Sequence, residues 1–320
     1  MRGSYRIVIQ NRRIRYDFEV KRNITILRGD SATGKTALVE MIREYDENGS
    51  DSGIELVCDK KCRVLSGNNW EVLLSSMQGS IVFIDEGNHF VTSVAFASAI
   101  QKTDNYYVIV ARESLPALPY SVDEIYGIRN SGKYGTLKRT YNELYHIYSR
   151  KDFNKLIVPE FIITEDSNAG YQFFLKICEE NGYGCVSAGG KSNIFSVLLD
   201  CKSAETLIVA DGAAFGAEME KIMKIVETNE RIHLYLPESF EWLILKSGIL
   251  EVKGLKDILE HPYNYVESSE DFSWERFFTK LLIDITKNTY LKYTKHSLNP
   301  TYLQEKEKRR ILRVMEGIGM

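Results

Sequence analysis

A glycine-rich stretch near the start of the chain has the residue types that hold phosphate groups. It reads G-D-S-A-T-G-K-T over residues 29–36, with Gly29 and Gly34 as its glycines and Lys35 and Thr36 at its end. Glycines let backbone N–H groups close around phosphate oxygens, because no Cβ atom blocks the approach. A lysine at this spacing neutralises phosphate charge, and a threonine hydroxyl after it is a ligand for Mg²⁺. The pattern therefore predicts a phosphate site with a divalent ion.

The flanking residues favour the same interpretation. Residues 25–28 form a short β-rich run, and residues 36–44 favour a helix. A strand that enters the glycine turn and a helix that leaves it are the expected surroundings, since the helix N-terminus adds positive partial charge. The stretch resembles the P-loop of nucleoside triphosphatases. This resemblance implies that all eight residues bind ATP, namely Gly29, Asp30, Ser31, Ala32, Thr33, Gly34, Lys35 and Thr36.

A pair of acidic residues follows a second apolar run. Residues 81–84 are all apolar, and Asp85 and Glu86 come directly after them. A buried parallel strand that ends at an active site has this pattern. It resembles the Walker B motif, which implies that Asp85 joins Thr36 in holding Mg²⁺ and that Glu86 polarises the attacking water. The alternative is a strand that ends in acidic residues without a catalytic role.

The next apolar run along the chain ends at Arg112. In P-loop ATPases the strand beside Walker B often ends in a polar sensor of the γ-phosphate, and Arg112 fits that place. The resemblance then implies a catalytic set of Lys35, Glu86 and Arg112. The alternative is that Arg112 pairs with Glu86 or Glu113 and does nothing more.

Residues 151–250 alternate between short strands and helices, which predicts a second α/β domain with a parallel sheet. Glu165 follows the first strand, Gly189-Gly190-Lys191 follows the second, and Asp211 follows the third. The order of these residues resembles the Toprim domain, a metal-binding fold shared by topoisomerases, primases and OLD-family nucleases. The resemblance implies that Glu165 and Asp211 are metal residues for Mg²⁺, with Mn²⁺ as an alternative ion.

The third strand of this half departs from the Toprim pattern. The family has Asp-x-Asp there, but Ala213 stands where the second aspartate belongs. Two-metal cleavage of a phosphodiester needs several carboxylates to hold the ions. Either Asp166, Glu218 or Glu238 replaces the missing acid, or the domain is a catalytically degenerate scaffold that binds a partner protein.

These patterns predict an α/β fold in three parts. We expect a P-loop NTPase parallel-sheet domain at residues 1–150, a Toprim-like α/β domain at 151–250 and a mainly helical C-terminal segment at 251–320. Near the end of the chain, tyrosines lie close to lysines and either stack on bases or pack in a core; they are Tyr290, Tyr293 and Tyr302, beside Lys292 and Lys295.

Within the first part, residues 54–58 and 62–65 are expected to pair with each other as a hairpin. Cys58 and Cys62 flank its turn. A zinc site is the alternative role for these two cysteines, although no second pair of cysteines stands at zinc-ribbon spacing.

The composition is that of an ordinary globular protein, with 44% hydrophobic and 27% charged residues. A net charge of −3 gives no support for non-specific binding to nucleic acid or membranes, so any contact with nucleic acid would have to use a local patch. No apolar run reaches the length of a membrane span, and the five cysteines are scattered, so we expect a cytoplasmic protein.

Three functions are compatible with these residues. OLD-family proteins pair a P-loop ATPase with a Toprim domain, so the resemblance implies an ATP-gated enzyme that cleaves DNA or RNA in bacterial anti-phage defence. The alternatives are an ATP-dependent switch that acts on a partner protein, and a small-molecule kinase. Many P-loop ATPases work at subunit interfaces, so we expect a homo-oligomer in which Arg112, Arg129 or Arg139 serves a neighbouring subunit.

Overall fold

The chain folds into two compact α/β units. The computed structural model describes residues 1–30, 33–131, 140–148, 156–200 and 204–320. The first unit comprises Met1–Ser149 and Tyr263–Ser273, and the second comprises Arg150–Pro262 and Trp274–Met320. The prediction of an α/β fold is confirmed. No helix among the described residues combines the length and the apolar character needed to cross a membrane.

The predicted C-terminal segment, residues 251–320, is divided between the two units. Its residues 263–273 pack with the first unit: the carbonyl of Tyr263 accepts a hydrogen bond from the Gly3 N–H at 2.7 Å. The amino group of Met1 donates to Ser268 Oγ, also at 2.7 Å. These contacts join residues far apart in sequence, which is why helical periodicity alone did not indicate the division.

In the first unit, the described residues form nine strands and three α-helices, in chain order β1 (Tyr5–Gln10), β2 (Ile14–Val20), β3 (Ile24–Leu27), α1 (Lys35–Asn48), β4 (Glu55–Val57), β5 (Cys62–Val64), α2 (Trp70–Ser75), β6 (Ile81–Ile84), α3 (Val94–Ile100), β7 (Tyr106–Val110), β8 (Ile125–Asn130) and β9 (Thr140–His146). In the second unit they form β10 (Phe161–Thr164), α4 (Ala169–Asn181), β11 (Gly184–Ser187), α5 (Ile194–Asp200), β12 (Thr206–Val209), α6 (Met219–Val226), β13 (Ile232–Tyr235), α7 (Phe240–Lys246), α8 (Leu255–Glu260), α9 (Trp274–Thr286) and α10 (Glu305–Arg313).

The sheet of the first unit is mixed, whereas the sequence predicted a parallel sheet. Its strand order within the described residues is β4-β1-β2-β9-β8-β3-β7-β6-β5. The run from β8 to β5 is parallel, while β1 pairs antiparallel with β2 and β4, and β8 pairs antiparallel with β9. The parallel part carries the strands that precede the predicted site residues.

The predicted hairpin at residues 54–58 and 62–65 is wrong. β4 pairs with β1 and β5 pairs with β6, so the two strands occupy opposite edges of the sheet. A flat sheet of this width would separate its edges by roughly 38 Å. The link from Val57 to Cys62 spans at most about 18 Å. The sheet must therefore curl until its edges approach each other.

Helix α1 fills the space that the curled sheet encloses. Leu38, Val39, Met41 and Ile42 form its buried face, at the three- and four-residue spacing of an amphipathic helix. They share one core with residues from both edges of the sheet, such as Cys62 of β5 and, beside β4, Ile54. The start of α1, where the P-loop pattern ends, is thus held by core packing.

The second unit contains a four-stranded sheet in the order β11-β10-β12-β13, and all of its strand pairs are parallel. This confirms the parallel sheet predicted from the strand–helix alternation. The three strands expected to precede Glu165, the glycine turn and Asp211 are neighbours. Their carboxyl ends therefore meet at one edge of the sheet.

The aromatic cluster between α2, α3 and the sheet provides a test of this packing. Trp70 stacks on Phe90 at 5.2 Å between ring centroids, and Phe96, which is fully buried, contacts both rings. We expect Phe96→Ala to lower the free energy of unfolding by about 3–5 kcal/mol, because it leaves a cavity. The measurement is urea denaturation.

The matched control is Val94→Ala in the same helix, where the side chain is 75% exposed. We expect its effect to stay within about 0.5 kcal/mol. Equal effects of the two substitutions would contradict the described packing of α3.

Candidate functional site

The predicted site residues of the first unit follow three adjacent strands. β7 lies between β3 and β6. Leu27, the last residue of β3, pairs with Val110 at the end of β7, and Ile84 at the end of β6 pairs with Ile109. Because the three strands are parallel and end in register, the segments that follow them leave from the same edge of the sheet.

The Lys35 side chain lies over the loop that follows β3. Its ammonium donates hydrogen bonds to the carbonyl oxygens of Gly29 at 2.8 Å and Asp30 at 2.6 Å, and to Thr33 Oγ1 at 2.9 Å. Lys35 is buried and Thr36 is exposed. The ammonium is therefore held by neutral oxygen atoms at the start of α1, where no side chain of the described residues caps the helix.

Both glycines of the pattern have backbone angles that favour glycine, with φ of 120° at Gly29 and 95° at Gly34. A Cβ atom on Gly34 would lie 2.8 Å from the hydroxyl of Tyr16. That hydroxyl donates to the Gly34 carbonyl at 2.8 Å. Tyr16 belongs to β2, which pairs antiparallel with β1 and parallel with β9. The sequence showed no sign of this contact, because nothing near Tyr16 in sequence indicates it.

The two acidic residues after β6 have different surroundings. Asp85 accepts the Glu86 N–H at 2.8 Å through Oδ1, and Asn88 Nδ2 donates to the Asp85 carbonyl at 2.8 Å, which fixes the turn. Glu86 forms an ion pair with Arg112, whose side chain is 64% exposed. The sequence offered two roles for Arg112, a sensor of the γ-phosphate or a partner of a neighbouring glutamate. The structure shows the pairing with Glu86.

Electrostatic coupling links these residues to the glycine-rich loop. Burial lowers the pKa of Lys35 below its usual value, and the charge of Arg112 acts in the same direction. The carboxylates of Glu86, Asp30 and Asp85 oppose this shift. The fold therefore brings together all the predicted catalytic residues of this unit around one ammonium group.

Some predicted residues lie elsewhere or outside the described part of the chain. Ser31, Ala32 and Arg139 are outside the described residues. Arg129 forms a surface ion pair with Glu143 at 2.8 Å, between β8 and β9.

In the second unit, Glu165 and Asp211 meet at the predicted edge of the sheet. Glu165 follows β10, Asp211 follows β12, and the Asp211 N–H donates to Glu165 Oε2 at 3.1 Å. Both line a pocket at the strand ends. Burial raises the pKa of Glu165 to about 7 and raises that of Asp211 well above its usual value; for both, neighbouring carboxylates add to the effect.

The acids that the sequence offered in place of the missing second aspartate differ in their position. Among the three residues considered, Asp166 lines the pocket, while Glu218 and Glu238 are buried outside its lining. Glu241, in the first turn of α7, lines the pocket instead. Its charge contributes to the raised pKa of Asp211.

Residues from the end of the chain complete this pocket. The Tyr293 hydroxyl donates to Glu241 Oε1 at 2.8 Å, and Lys295 Nζ lies 2.6 Å from Glu275 Oε1. Tyr293 and Tyr302 are buried, which rules out base stacking by these two rings; Tyr290 is 73% exposed. Sequence reasoning noted Tyr293 and Lys295 but did not connect them with Asp211, because only the fold brings them together.

Metal-binding geometry is absent from the described residues: no three His, Cys, Asp or Glu side chains converge closely enough to hold an ion. This applies to the pocket of the second unit and also to Cys58 and Cys62. Those two cysteines contact each other, and the hydrogen bond from Cys62 lowers the pKa of Cys58 to about 7. They form a thiol pair without a third ligand among the described residues.

Comparison with known proteins adds no assignment, since no protein-family model matches the chain and a search of the curated proteins finds no match.

The buried carboxyls of the second unit predict a pH dependence. Because the pKa of Glu165 is raised from 4.5 to about 7 on folding, its stabilising contribution is complete below pH 4.5 and is lost as the pH rises through about 7. Asp211 acts in the same direction. We expect Glu165→Gln to flatten the fall in stability between pH 5 and pH 8, measured as the midpoint of urea denaturation.

The control is Glu227→Gln, at an exposed position after α6. It is expected to keep the wild-type pH dependence. If Glu165→Gln and wild type lost stability equally over this range, the raised pKa of Glu165 would be contradicted.

Proposed function

We propose that the first unit binds and hydrolyses a nucleoside triphosphate, with ATP as the expected substrate. One observation carries this proposal: the register of β3, β7 and β6 places Lys35, Arg112 and Asp85-Glu86 at one edge of the sheet, with their charges coupled. A phosphate-binding loop, a cation and a carboxylate pair are the parts that phosphoryl transfer requires.

The residues present fit a nucleotide phosphate. The Lys35 ammonium is held mainly by neutral oxygens of its own loop, and a phosphate oxygen can replace these partners. Among the described residues, none would contact a Cβ atom at Gly29. No described side chain caps the start of α1 either, so its N–H groups favour an anion at the same place.

The donors for a magnesium ion are also present. Thr36 is exposed in the first turn of α1, and Asp85 follows β6 at the same edge of the sheet. Bound Mg²⁺ would neutralise charge on the β- and γ-phosphates. In this arrangement Thr36 and Asp85 would hold the ion, Lys35 would bind phosphate oxygens, and Glu86 would orient the attacking water and take its proton.

Arg112 gives the site a way to respond to the γ-phosphate. In the structure Arg112 pairs with Glu86, so the carboxylate that would act on water is engaged by a guanidinium group. A terminal phosphate attracts the same guanidinium, because bidentate binding of phosphate suits arginine well. Movement of Arg112 to the phosphate would free Glu86 for the water, so the nucleotide itself would activate the base.

For the second unit, we propose a scaffold without metal chemistry, whose contacts with a partner protein depend on the nucleotide. Ala213, buried, stands at the position of the second acid in the Toprim pattern, and the described carboxylates do not form a metal-binding group. This set of residues does not fit a two-metal site. The protein is then an ATP-dependent switch that combines a P-loop ATPase with a Toprim-like module, a pairing similar to that of OLD-family proteins.

The ATPase proposal predicts different effects for two variants. Lys35→Ala is expected to abolish ATP binding, since it removes the cation of the loop. Glu86→Gln is expected to keep ATP binding and to slow hydrolysis by roughly 10²–10⁴-fold, because the amide accepts no proton. Binding is measured by calorimetry, and turnover is measured by phosphate release.

Two exposed positions of the first unit provide controls. Lys102→Ala removes a surface ammonium after α3, and Glu113→Gln changes the neighbour of Arg112. Both are expected to bind and hydrolyse ATP as the wild type does. Unchanged ATP affinity in Lys35→Ala would refute the P-loop assignment, and full turnover in Glu86→Gln would remove Glu86 from the role of base.

Cleavage of DNA or RNA by the second unit is the competing function, which the contact between Glu165 and Asp211 at the strand ends favours. The test is incubation of the full chain with plasmid and single-stranded DNA in Mn²⁺, with and without ATP. The scaffold proposal predicts no cleavage under either condition. Cleavage that Asp211→Asn abolishes would establish the second unit as a nuclease.

A further inference from the structure

A short segment that follows α9, Tyr293–Leu298, lines the acidic pocket of the second unit and is called the strap below. Three hydrogen bonds, each of 2.9 Å, fix it to the first turn of α4. One joins two main-chain groups, since the Ala169 N–H donates to the Lys295 carbonyl. The other two involve the Gln172 side chain: its Nε2 donates to the His296 carbonyl, and its Oε1 accepts the Leu298 N–H. The strap is therefore bound directly beside the carboxyl end of β10.

The strap places an ammonium group beside Glu275 and in the same pocket as further carboxyl groups. Lys295 Nζ lies 2.6 Å from Glu275 Oε1, and the charges of Glu275, Glu241 and Asp211 hold the pKa of Lys295 above its usual value against the effect of burial. Glu165, which accepts the Asp211 N–H, lines the same pocket as Lys295. Lys295 is therefore charged at any physiological pH.

Three carboxylates in and beside the pocket accept hydrogen bonds from groups of the chain itself. Glu241, which is 2% exposed, accepts the Tyr293 hydroxyl, and Glu275 accepts the Lys295 ammonium. Glu165 accepts the Asp211 N–H. Burial of several carboxylates requires compensating donors or positive charge. In this unit the strap supplies both through Tyr293 and Lys295.

We propose that Lys295 is the resident cation of the pocket and takes the place that a divalent metal ion would occupy. This inference rests on the proposed Toprim-like nature of the second unit. A divalent ion beside Asp211 would have to share the carboxylates with an ammonium that is covalently part of the chain and fixed by the strap.

The experiment is a titration of the full chain with Mn²⁺, followed by electron paramagnetic resonance of the free ion. It uses the Lys35→Ala background without nucleotide, so that the first unit contributes no ATP-dependent metal binding. With Lys295 intact, we expect no Mn²⁺ bound at concentrations up to 1 mM, a value of about the order at which weak carboxylate sites fill. With Lys295→Met added, we expect about one Mn²⁺ per chain, lost again when Asp211→Asn is also present.

Two lysine controls separate charge from general effects of substitution. Lys292→Met changes an exposed lysine of the same segment of chain and is expected to bind no Mn²⁺. Lys295→Arg keeps the charge and is expected to behave as the Lys295-intact protein. Circular dichroism checks that each variant is folded.

Two results would overturn the proposal. One is Mn²⁺ binding by the protein with Lys295 intact, if Asp211→Asn abolishes that binding. This measurement does not need the Lys295→Met variant, so it tests the proposal even if that variant does not fold. The other is a folded Lys295→Met protein that binds no Mn²⁺. Neither result depends on ATP binding or hydrolysis, so failure of this inference is distinguishable from failure of the ATPase proposal.

Discussion

Parallel hydrogen bonding of β3 with β7 and of β7 with β6 is the constraint on which the chemistry of the first unit depends. The three strands are entirely buried and end in register, so their carboxyl ends meet at one edge of the sheet. A slip of one residue in either pairing would turn every side chain to the opposite face and displace the following loop. Core packing on both faces of these strands therefore positions Lys35, Glu86 and Arg112.

The curl of the mixed sheet adds the second level of organisation. Because β4 and β5 lie at opposite edges but are joined by a short link, the sheet wraps around α1 and fixes where that helix begins. The same curl brings Tyr16 of β2 onto the Gly34 carbonyl. Strand β2 thus supports the loop directly, although it carries no residue of the predicted catalytic set.

The two units use a lysine in opposite electrostatic settings. Lys35 is held mainly by carbonyl oxygens of its loop, which a phosphate can displace because it brings negative charge of its own. Lys295 is paired with the Glu275 carboxylate in a partly buried pocket. If the ammonium moved away, the carboxylate would be left without a compensating positive charge. We infer that the first ammonium is available to a ligand and that the second is part of the fold.

Local patterns in the sequence determined the α/β class and several strands, and they indicated the candidate site of the first unit. Apolar runs that end in polar residues marked β6 and β12, because burial of a strand leaves a short-range pattern. These patterns record which face is buried but not which element covers it. Only the tertiary structure therefore decided that β4 and β5 do not form a hairpin. It also decided that Glu241 rather than Glu238 lines the pocket of the second unit, and that Lys295 lies beside Glu275. Each of these results depends on packing between residues that are distant in sequence.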